Sequence, residues 1–150
     1  MEKMVCGFLF DSYKDVVLLI KKNRPEWMHG LYNGVGGHIE ENESPLDAMK
    51  REFSEETTYS DDKIDWKKFA TLTNNTTFSV DFFFACNDVV FCIDSKTDEE
   101  VSVIAVKNGV FFDIYEEPMD NILPNLRWLI PMALSFEHGE KANSFNILEL

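Results

Sequence analysis

Residues 37–59, GHIEENESPLDAMKREFSEETTY, constrain the fold more than any other part of the chain. Ser44 is a good N-cap, Pro45 suits the first helical position, and Asp47 completes a capping pattern with Ser44. The sequence therefore predicts a helix that begins at about Pro45. At roughly 100° per residue, its apolar side chains form one stripe, which consists of Leu46, Met49 and Phe53.

A neighbouring face of this helix carries glutamates at positions i, i+3 and i+4, namely Glu52, Glu55 and Glu56. Like charges at these spacings destabilise an isolated helix by roughly a few tenths of a kcal/mol per pair, so the face requires neutralisation. Mg²⁺ could provide it, because the ion binds proteins through a few carboxylates together with substrate phosphates. The alternative is a solvated acidic face, which is the usual fate of a charge run.

Composition narrows the class of protein and of partner. The chain has 150 residues and is 45% hydrophobic, which indicates one globular domain over residues 1–150. Its 27 acidic and 14 basic residues give a formal net charge of −13, which repels nucleic-acid backbones and anionic membranes. We therefore expect a small phosphorylated substrate and neither a polymeric nucleic acid nor a membrane, with bound divalent ions inverting the local charge.

The cysteines and the first residues of the chain indicate in which cellular compartment the protein is expected. Cys6, Cys86 and Cys92 lie in apolar segments without the spacing of a zinc site or a disulfide scaffold, so we interpret them as core thiols in a reducing compartment. No signal sequence and no bilayer-spanning apolar run is evident. We expect a cytoplasmic protein that is a monomer or a homodimer.

Short apolar runs between turn-like segments predict a β-sheet. The predicted strands cover residues 4–10, 16–20, 66–72, 78–86 and 101–106, and residues 89–93 are predicted to extend the sheet. The first two strands are predicted to form a hairpin, and TNNTT links the next two. Residues 126–136 are predicted to form a C-terminal helix, which Pro131 either kinks or interrupts after a first turn.

Other residues between the strands are candidates for ligand contacts. Lys22 lies in the densest basic cluster of the chain, which is either a polar strand exit or a phosphate-contacting site. Trp27 lies in an aromatic-rich loop that could form a lid or stack on a base, or could pack on the core. The three glycines Gly34, Gly36 and Gly37 allow backbone carbonyls to approach a metal closely. His38 is predicted to occupy a strand position, because Mg²⁺ prefers oxygen ligands.

Written as a pattern, residues 37–59 are Gly37-x5-Glu43-x7-Arg51-Glu52-Phe53-x-Glu55-Glu56-x-Thr58-Tyr59. This pattern resembles the Nudix box, with Thr58 where the family has glycine. The resemblance implies an α/β fold, a Nudix-type α/β/α sandwich with a central mixed β-sheet. It also implies Mg²⁺, with Mn²⁺ as a substitute, held by Glu52, Glu55, Glu56 and the carbonyl of Gly37. Because glycine at position 58 would supply a left-handed cap, we expect an altered helix end.

Further roles follow from the resemblance. A fourth carboxylate is expected from the acidic loop near residue 100, with Glu100 or Glu99 as the candidate. The general base would be Glu52 or a loop carboxylate such as Glu100. Arg51 is expected to pair with Glu43 and brace the loop, because a bidentate Arg–carboxylate pair orients its partners well.

Two segments resemble the base-contacting segments of MutT-type and mammalian-type 8-oxo-dGTP hydrolases. The matching asparagines are Asn33, before Gly34, and Asn125, after Pro124. In those proteins the matching side chains bond a purine, whereas the alternative roles here are turn formation by Asn33 and helix capping by Asn125. Leu123 and Leu126 depart from the mammalian pattern, which has tryptophan and aspartate at these positions.

The implied activity is Mg²⁺-dependent hydrolysis of a phosphoanhydride bond in a nucleoside diphosphate derivative, foremost a purine nucleoside triphosphate, including oxidised forms. Other Nudix substrates, namely ADP-ribose, dinucleotide polyphosphates and NADH, are alternatives. An alternative of another class is a non-catalytic nucleotide sensor or interaction module that keeps the fold.

Overall fold

The computed structural model describes residues 1–60, 62–136 and, for the backbone, 145–148. The strands in this part of the chain are β1 (Glu2–Phe10), β2 (Val16–Lys21), β3 (Tyr32–Asn33), β4 (Lys67–Thr73), β5 (Phe78–Cys86), β6 (Glu100–Lys107), β7 (Val110–Phe112) and β8 (Phe145–Leu148). The α-helices are α1 (Pro45–Glu56) and α2 (Leu126–Ser135), and 3₁₀ helices cover Glu26–Met28 and Asp88–Cys92.

The strands form one mixed sheet in the order β7-β6-β2-β1-β5-β4-β8, with β3 paired to β2. Strand β1 is parallel to β5 and β4 is parallel to β8, whereas the other pairs are antiparallel. The predicted hairpin of β1 and β2 and the predicted pairing of β4 with β5 are both confirmed. Strands β3, β7 and β8 were not predicted.

Each face of the sheet packs against one helix. Alternate residues of β1 point to opposite faces, so that Val5 and Leu9 join Phe53 of α1 in one core cluster. Phe8 and Phe10 join Leu129 of α2 in the other cluster. The α/β/α sandwich with a central mixed sheet is therefore confirmed.

Local sequence signals explain where α1 begins and how α2 continues. Helix α1 starts at Pro45, and the Ser44 hydroxyl accepts a hydrogen bond from the Asp47 amide at 3.1 Å. Helix α2 continues through Pro131, which lies inside it. Four of its side chains are buried, namely Leu126, Leu129, Ile130 and Ala133. Neither α-helix in the described residues is long and apolar enough to cross a membrane.

The predicted strand at residues 89–93 is wrong, because Asp88–Cys92 forms a 3₁₀ helix. The Asn87 side chain accepts a hydrogen bond from the Val89 amide at 3.0 Å, and the Asn87 carbonyl accepts one from Val90 at 3.1 Å. This capped turn buries Val90 alone.

The cysteines differ in exposure. Cys6 is buried, and burial raises the pKa of its thiol to about 12. Cys92, by contrast, is exposed on the short 3₁₀ helix, so its interpretation as a core thiol is wrong.

Candidate active site

Arg51 is the centre of the hydrogen-bond network on α1. Its Nε and Nη2 donate to the two oxygens of Glu43 at 2.8 and 3.0 Å. Its Nη1 donates to Glu52 at 2.9 Å and to Glu55 at 3.1 Å, and Nη2 also donates to the His38 carbonyl at 2.8 Å. A guanidinium has one N–H on Nε and two on each Nη, so these contacts use all of its donors. Arg51 therefore braces the loop before α1 and has no N–H left for a substrate.

The Arg51 contact also fixes the charge of Glu43. The guanidinium and the Glu40 amide both donate to this carboxylate, and they lower its pKa below the ordinary value. The pairing expected from the sequence is thus present and bidentate. Together with the Arg51 contact to the His38 carbonyl, this pair holds residues 38–43 against α1.

Glu52 lies directly against the backbone of Gly37. A Cβ placed on Gly37 would collide with the Glu52 carboxylate, so a larger residue at position 37 would displace this carboxylate from its present position. The Glu52 side chain is only 14% exposed, whereas that of Glu55 is 58% exposed. The helix therefore presents Glu52 at the glycine turn and Glu55 towards solvent.

Glu56 is the most perturbed carboxyl group of the site. It accepts a hydrogen bond from the Gly36 amide at 3.3 Å, and Lys22 Nζ lies 3.9 Å from its other oxygen. Burial raises the pKa of Glu56 to about 7, although Lys22 and the Gly36 amide oppose the shift. A carboxyl group that titrates near neutral pH is characteristic of functional sites.

The two adjacent glycines face opposite ways. Val35 exchanges backbone hydrogen bonds with Gly7, and the Gly37 carbonyl accepts one from the Val5 amide at 2.9 Å, so both residues face β1. Backbone alternation turns Gly36 the other way, towards Glu56. The Gly37 carbonyl therefore pairs with β1, whereas the Gly36 amide faces Glu56. The role of the Gly37 carbonyl as a metal ligand stays a prediction, because a carbonyl oxygen has a second lone pair, and the neighbouring Gly36 carbonyl is a second candidate.

Glu99, and not Glu100, completes the group of carboxylates. Val101 and Val103 of β6 pack on the face of the sheet that α1 covers. Because successive side chains of a strand alternate between the two faces, Glu99, two residues before Val101, lies on this same face. Glu99 is 5% exposed and accepts hydrogen bonds from Lys22 Nζ at 2.7 Å and from the Asn23 amide. Glu100 is exposed on the other side of the strand, where its carboxylate accepts a hydrogen bond from the Ser102 hydroxyl at 3.0 Å. The structure does not bring Glu100 to the site.

These carboxylates are held by protein cations in two groups. Arg51 contacts Glu52 and Glu55, while Lys22 lies between Glu56 and Glu99. Within the described residues, no three acidic, histidine or cysteine side chains are close enough together to enclose a metal ion. The donor set nevertheless fits a hard divalent cation, because it consists of oxygens and because Gly37 leaves room for Glu52. Its members would be Glu52, Glu55, Glu56, Glu99 and the carbonyl of Gly36 or Gly37.

Helix α1 ends without a left-handed residue. Thr57 is extended, with φ −124° and ψ 166°, and its buried hydroxyl donates to the Phe53 carbonyl at 2.6 Å. Thr58 then pairs with Asp94: its amide donates to the Asp94 carbonyl at 2.9 Å, and its hydroxyl accepts from the Asp94 amide at 3.0 Å. The chain thus leaves the helix as an extended segment, which explains how it tolerates Thr58 in place of glycine.

Asn33 and Asn125 belong to segments that lie side by side. Tyr32 forms a parallel bridge with Ile122, and the Tyr32 carbonyl accepts a hydrogen bond from the Leu123 amide at 2.9 Å. Asn33 is the last residue of β3, and its Oδ1 accepts a hydrogen bond from the Gly34 amide at 2.8 Å. Asn125 makes no side-chain cap on α2, and among the described residues its Oδ1 is buried without a hydrogen-bond partner. The capping alternative is therefore wrong for Asn125.

Trp27 lies on the 3₁₀ helix Glu26–Met28 and is 66% exposed. The loop that carries it is tied to the Glu99 segment, because the Asn23 side chain donates to the Asp98 carbonyl at 3.1 Å. Arg24 also contacts the Asp98 carboxylate at 3.3 Å. The structure thus leaves the Trp27 ring free of the core.

The fold and the sequence both match known proteins. The family model of the NUDIX domain matches residues 3–138. A comparison with curated protein sequences gives no significant match. Among solved structures, the chain is similar to a NUDIX hydrolase from Nitrosomonas europaea, with TM-score 0.62 and 18% identity over 98% of this chain and 78% of that one.

Two further solved structures have different names and the same TM-score against this chain. One is described as MutT from Aliivibrio salmonicida and Vibrio cholerae, with TM-score 0.60 and 19% identity over 90% of this chain and 98% of that one. The other is an ADP-ribose pyrophosphatase from Streptococcus suis, with TM-score 0.60 and 16% identity over 97% of this chain and 98% of that one. Likeness at this level of identity shows the fold. The match to the family model over most of the sequence shows that the chain belongs to the Nudix hydrolase family.

Proposed function

We propose that this protein hydrolyses a phosphoanhydride bond in a nucleoside diphosphate derivative, in a Mg²⁺-dependent reaction, and that a purine nucleoside triphosphate is its foremost substrate. The observation that carries the proposal is the set of inward-facing carboxylates around the glycine turn, with Glu52 against Gly37 and Glu56 bonded to Gly36. Such a set of oxygens suits a metal that also contacts substrate phosphates.

The residues divide the work as follows. The carboxylates would hold a divalent metal, which when bound would supply Lewis acidity to the phosphoryl oxygens, to the attacking water and to the leaving phosphate. Glu56 and Glu52 supply half-buried carboxylate oxygens. The Arg51 guanidinium contacts the Glu52 carboxylate and keeps it oriented. Glu99 replaces Glu100 in the role of the loop carboxylate, and Glu52 or Glu99 takes the proton of the attacking water. Lys22, which now contacts Glu56 and Glu99, would be available to a substrate phosphate once these carboxylates turn to the metal.

The base end of the substrate is proposed to lie at Asn33 and Asn125. A buried acceptor without a donor costs free energy, roughly 1–3 kcal/mol. An amino group or a ring N–H of a purine would satisfy the Oδ1 of Asn125. Trp27, exposed on the neighbouring loop, is the candidate for stacking on the base.

Preference for an oxidised purine has less support. Leu123 and Leu126 are 6% and 0% exposed, so both side chains belong to the core between the sheet and α2. They offer no polar group and no aromatic ring to a base. We therefore propose purine selectivity through the two asparagines and do not extend the proposal to recognition of 8-oxoguanine.

ADP-ribose hydrolysis is the second candidate. Its support is that the Streptococcus suis ADP-ribose pyrophosphatase and the MutT protein have the same TM-score against this chain, 0.60. ADP-ribose, like a purine triphosphate, contains a purine base and a phosphoanhydride bond. The carboxylates and the asparagines would therefore serve either substrate. What differs is the group beyond the diphosphate.

A panel of nucleotides tests the proposal. Phosphate and pyrophosphate release would be measured for purine and pyrimidine triphosphates, ADP-ribose, a dinucleotide polyphosphate and NADH, each with Mg²⁺, with Mn²⁺ and with chelator. We expect metal-dependent turnover that is fastest with a purine triphosphate. Faster turnover of ADP-ribose would transfer the proposal to the second candidate, and binding without turnover of any compound would support a nucleotide sensor.

A further inference from the structure

The departure of this chain from the Nudix box lies at a structural junction. Thr58 follows α1 and pairs with Asp94, and Thr57 forms an antiparallel bridge with Ser95. Residues 94–99, called here the 94–99 loop, lead from this junction to Glu99. The end of the helix and the loop carboxylate are therefore physically connected.

The 94–99 loop is held at both ends. At its start, both backbone polar groups of Asp94 bond to Thr58, and the Lys96 amide donates to the Glu56 carbonyl at 3.1 Å. At its end, the Glu99 carboxylate is fixed by Lys22 and the Asn23 amide. With only four residues between Asp94 and Glu99, the position of one limits the position of the other.

The loop also bonds to itself. The Ser95 hydroxyl accepts a hydrogen bond from the Val101 amide at 2.7 Å, and the Thr97 hydroxyl accepts one from the Glu99 amide at 3.2 Å. These bonds make the loop a compact connection that transmits displacement of Asp94 to Glu99. A glycine at position 58 could donate its amide to the Asp94 carbonyl but would have no side-chain oxygen to accept a hydrogen bond from the Asp94 amide.

We infer that Thr58 is a positioning residue: its hydroxyl holds the 94–99 loop against the end of α1 and thereby fixes Glu99 beside Glu56. Thr58 touches neither metal nor substrate in this role. The inference rests on the proposed function in so far as Glu99 serves the metal, whereas the fixing of the loop is independent of it. Thr58 is exposed, so changing it leaves the core intact.

The test compares Thr58→Val, which removes the hydroxyl and keeps the shape, with Thr58→Ser, which keeps the hydroxyl. Ser12→Ala is the matched control, because the Ser12 amide and hydroxyl make a similar two-point contact to Asp88 between two other loops. Hydrogen exchange of peptides covering residues 94–100 is measured without metal or nucleotide, and the Mn²⁺ dissociation constant is measured by calorimetry.

For Thr58→Val we expect faster hydrogen exchange in the 94–99 loop. We also expect a Mn²⁺ dissociation constant that is about 3- to 10-fold higher, which corresponds to the free energy of one lost hydrogen bond. Thr58→Ser should resemble the parent in both measurements. Ser12→Ala should accelerate exchange around residues 12 and 88 only and leave Mn²⁺ affinity unchanged. In a Glu99→Gln background the effect of Thr58→Val on Mn²⁺ affinity should vanish, because two changes that act through one group are not additive.

The inference is overturned if Thr58→Val exchanges in the 94–99 loop as the parent does, or if Thr58→Ser fails to restore the parent behaviour. It is also overturned if Thr58→Val weakens Mn²⁺ binding equally with and without Glu99. A parent protein that binds no Mn²⁺ would instead contradict the proposed metal site, while the exchange comparison would still decide whether Thr58 holds the loop.

Discussion

Helices α1 and α2 cover opposite faces of the sheet and are stabilised in different ways. Helix α1 has polar contacts at both ends: Ser44 caps its start, and the Lys96 amide bonds to the Glu56 carbonyl at its end. Helix α2 has no side-chain cap from Asn125, contains Pro131, and buries Leu129 and Ile130 completely. The carboxylates lie on the helix whose two ends are held by these hydrogen bonds.

The same contrast applies to the two ends of the proposed substrate. Around α1, each polar side chain near the glycine turn already has a protein partner, so the geometry is set before a ligand arrives. Beside α2, Asn125 Oδ1 is buried without a partner among the described residues. In the proposed complex the carboxylates would therefore be positioned before the ligand binds, whereas the contact of Asn125 with the base would form only on binding.

The largest expected effect tests whether burial holds α2. Leu129→Ala removes a side chain that is 0% exposed, so we expect a loss of about 2–5 kcal/mol in the free energy of unfolding. Urea denaturation followed by circular dichroism measures it. The neighbouring exposed Arg127→Ala is the control and should change stability by less than about 0.5 kcal/mol. Equal losses of unfolding free energy in the two variants would show that burial of Leu129 does not stabilise α2 as proposed.

The next effect concerns activity on α1. Glu56→Gln and Glu52→Gln should each lower kcat by at least about 10²-fold, about 2.7 kcal/mol in the barrier, by removing metal charge. Steady-state hydrolysis in Mg²⁺ measures it, with the exposed Glu41→Gln as the charge-matched control. Near-parent turnover of both variants would contradict the metal assignment.

Glu56→Gln also has a pH signature in the metal-free protein. Because burial raises the folded pKa of Glu56 above the value of an ordinary carboxyl group, the folded state binds more protons than the unfolded state between the ordinary value and about 7. Stability from this group therefore falls as pH rises through that window. Above pH 7 the Gln variant should be at least as stable as the parent.

A smaller and more selective effect is expected at the base end. Asn125→Ala and Asn33→Ala should each cost about 1–3 kcal/mol, roughly 5- to 150-fold in kcat/KM, for a purine triphosphate and little for a pyrimidine one. Kinetics on one substrate of each class decide this. Because Asn125 Oδ1 has no partner in the described residues, Asn125→Ala should not lower stability. A parallel decline for both substrates would show that the asparagines do not read the base.

The smallest effect tests the cap of α1. Ser44→Ala removes the acceptor of the Asp47 amide and should cost about 1 kcal/mol of stability. Ser135→Ala, which removes an exposed hydroxyl that donates to the Met132 carbonyl on α2, is the matched change and should cost less than half of that. Thermal melts of the pair compare the two. If the Ser135 variant loses more, polar contacts matter as much to α2 as to α1.

Local chemistry made part of the molecule predictable. The start of α1 follows from Ser44 and Pro45, and the bidentate pair of Arg51 with Glu43 follows from the Nudix pattern. The paired strands follow from apolar runs and from turn residues between them. In these cases the deciding interactions lie within about ten residues or within one motif.

The sequence does not decide the outcome where pairing between distant residues determines it. Whether Glu99 or Glu100 faces the site depends on the register of β6 against β2, in which Ile20 lies opposite Val101, and a shift of one residue would exchange them. Whether Gly36 or Gly37 turns its carbonyl to the site depends on pairing with β1. The 3₁₀ helix at Asp88–Cys92 has the composition of a strand, and only Asn87 distinguishes it.

The contacts that hold Glu99 also bear on how the protein folds. Lys22 and Asn23 are 77 and 76 residues from Glu99 along the chain, and Thr58 is 36 residues from Asp94. Contacts between such distant residues form late, because closing long loops costs chain entropy before any contact compensates for it. The carboxylates of α1 can be in place as soon as the helix packs, but the complete set exists only after β2 and β6 have paired. The proposed metal site is therefore complete only in the finished sheet, and α1 alone does not supply it.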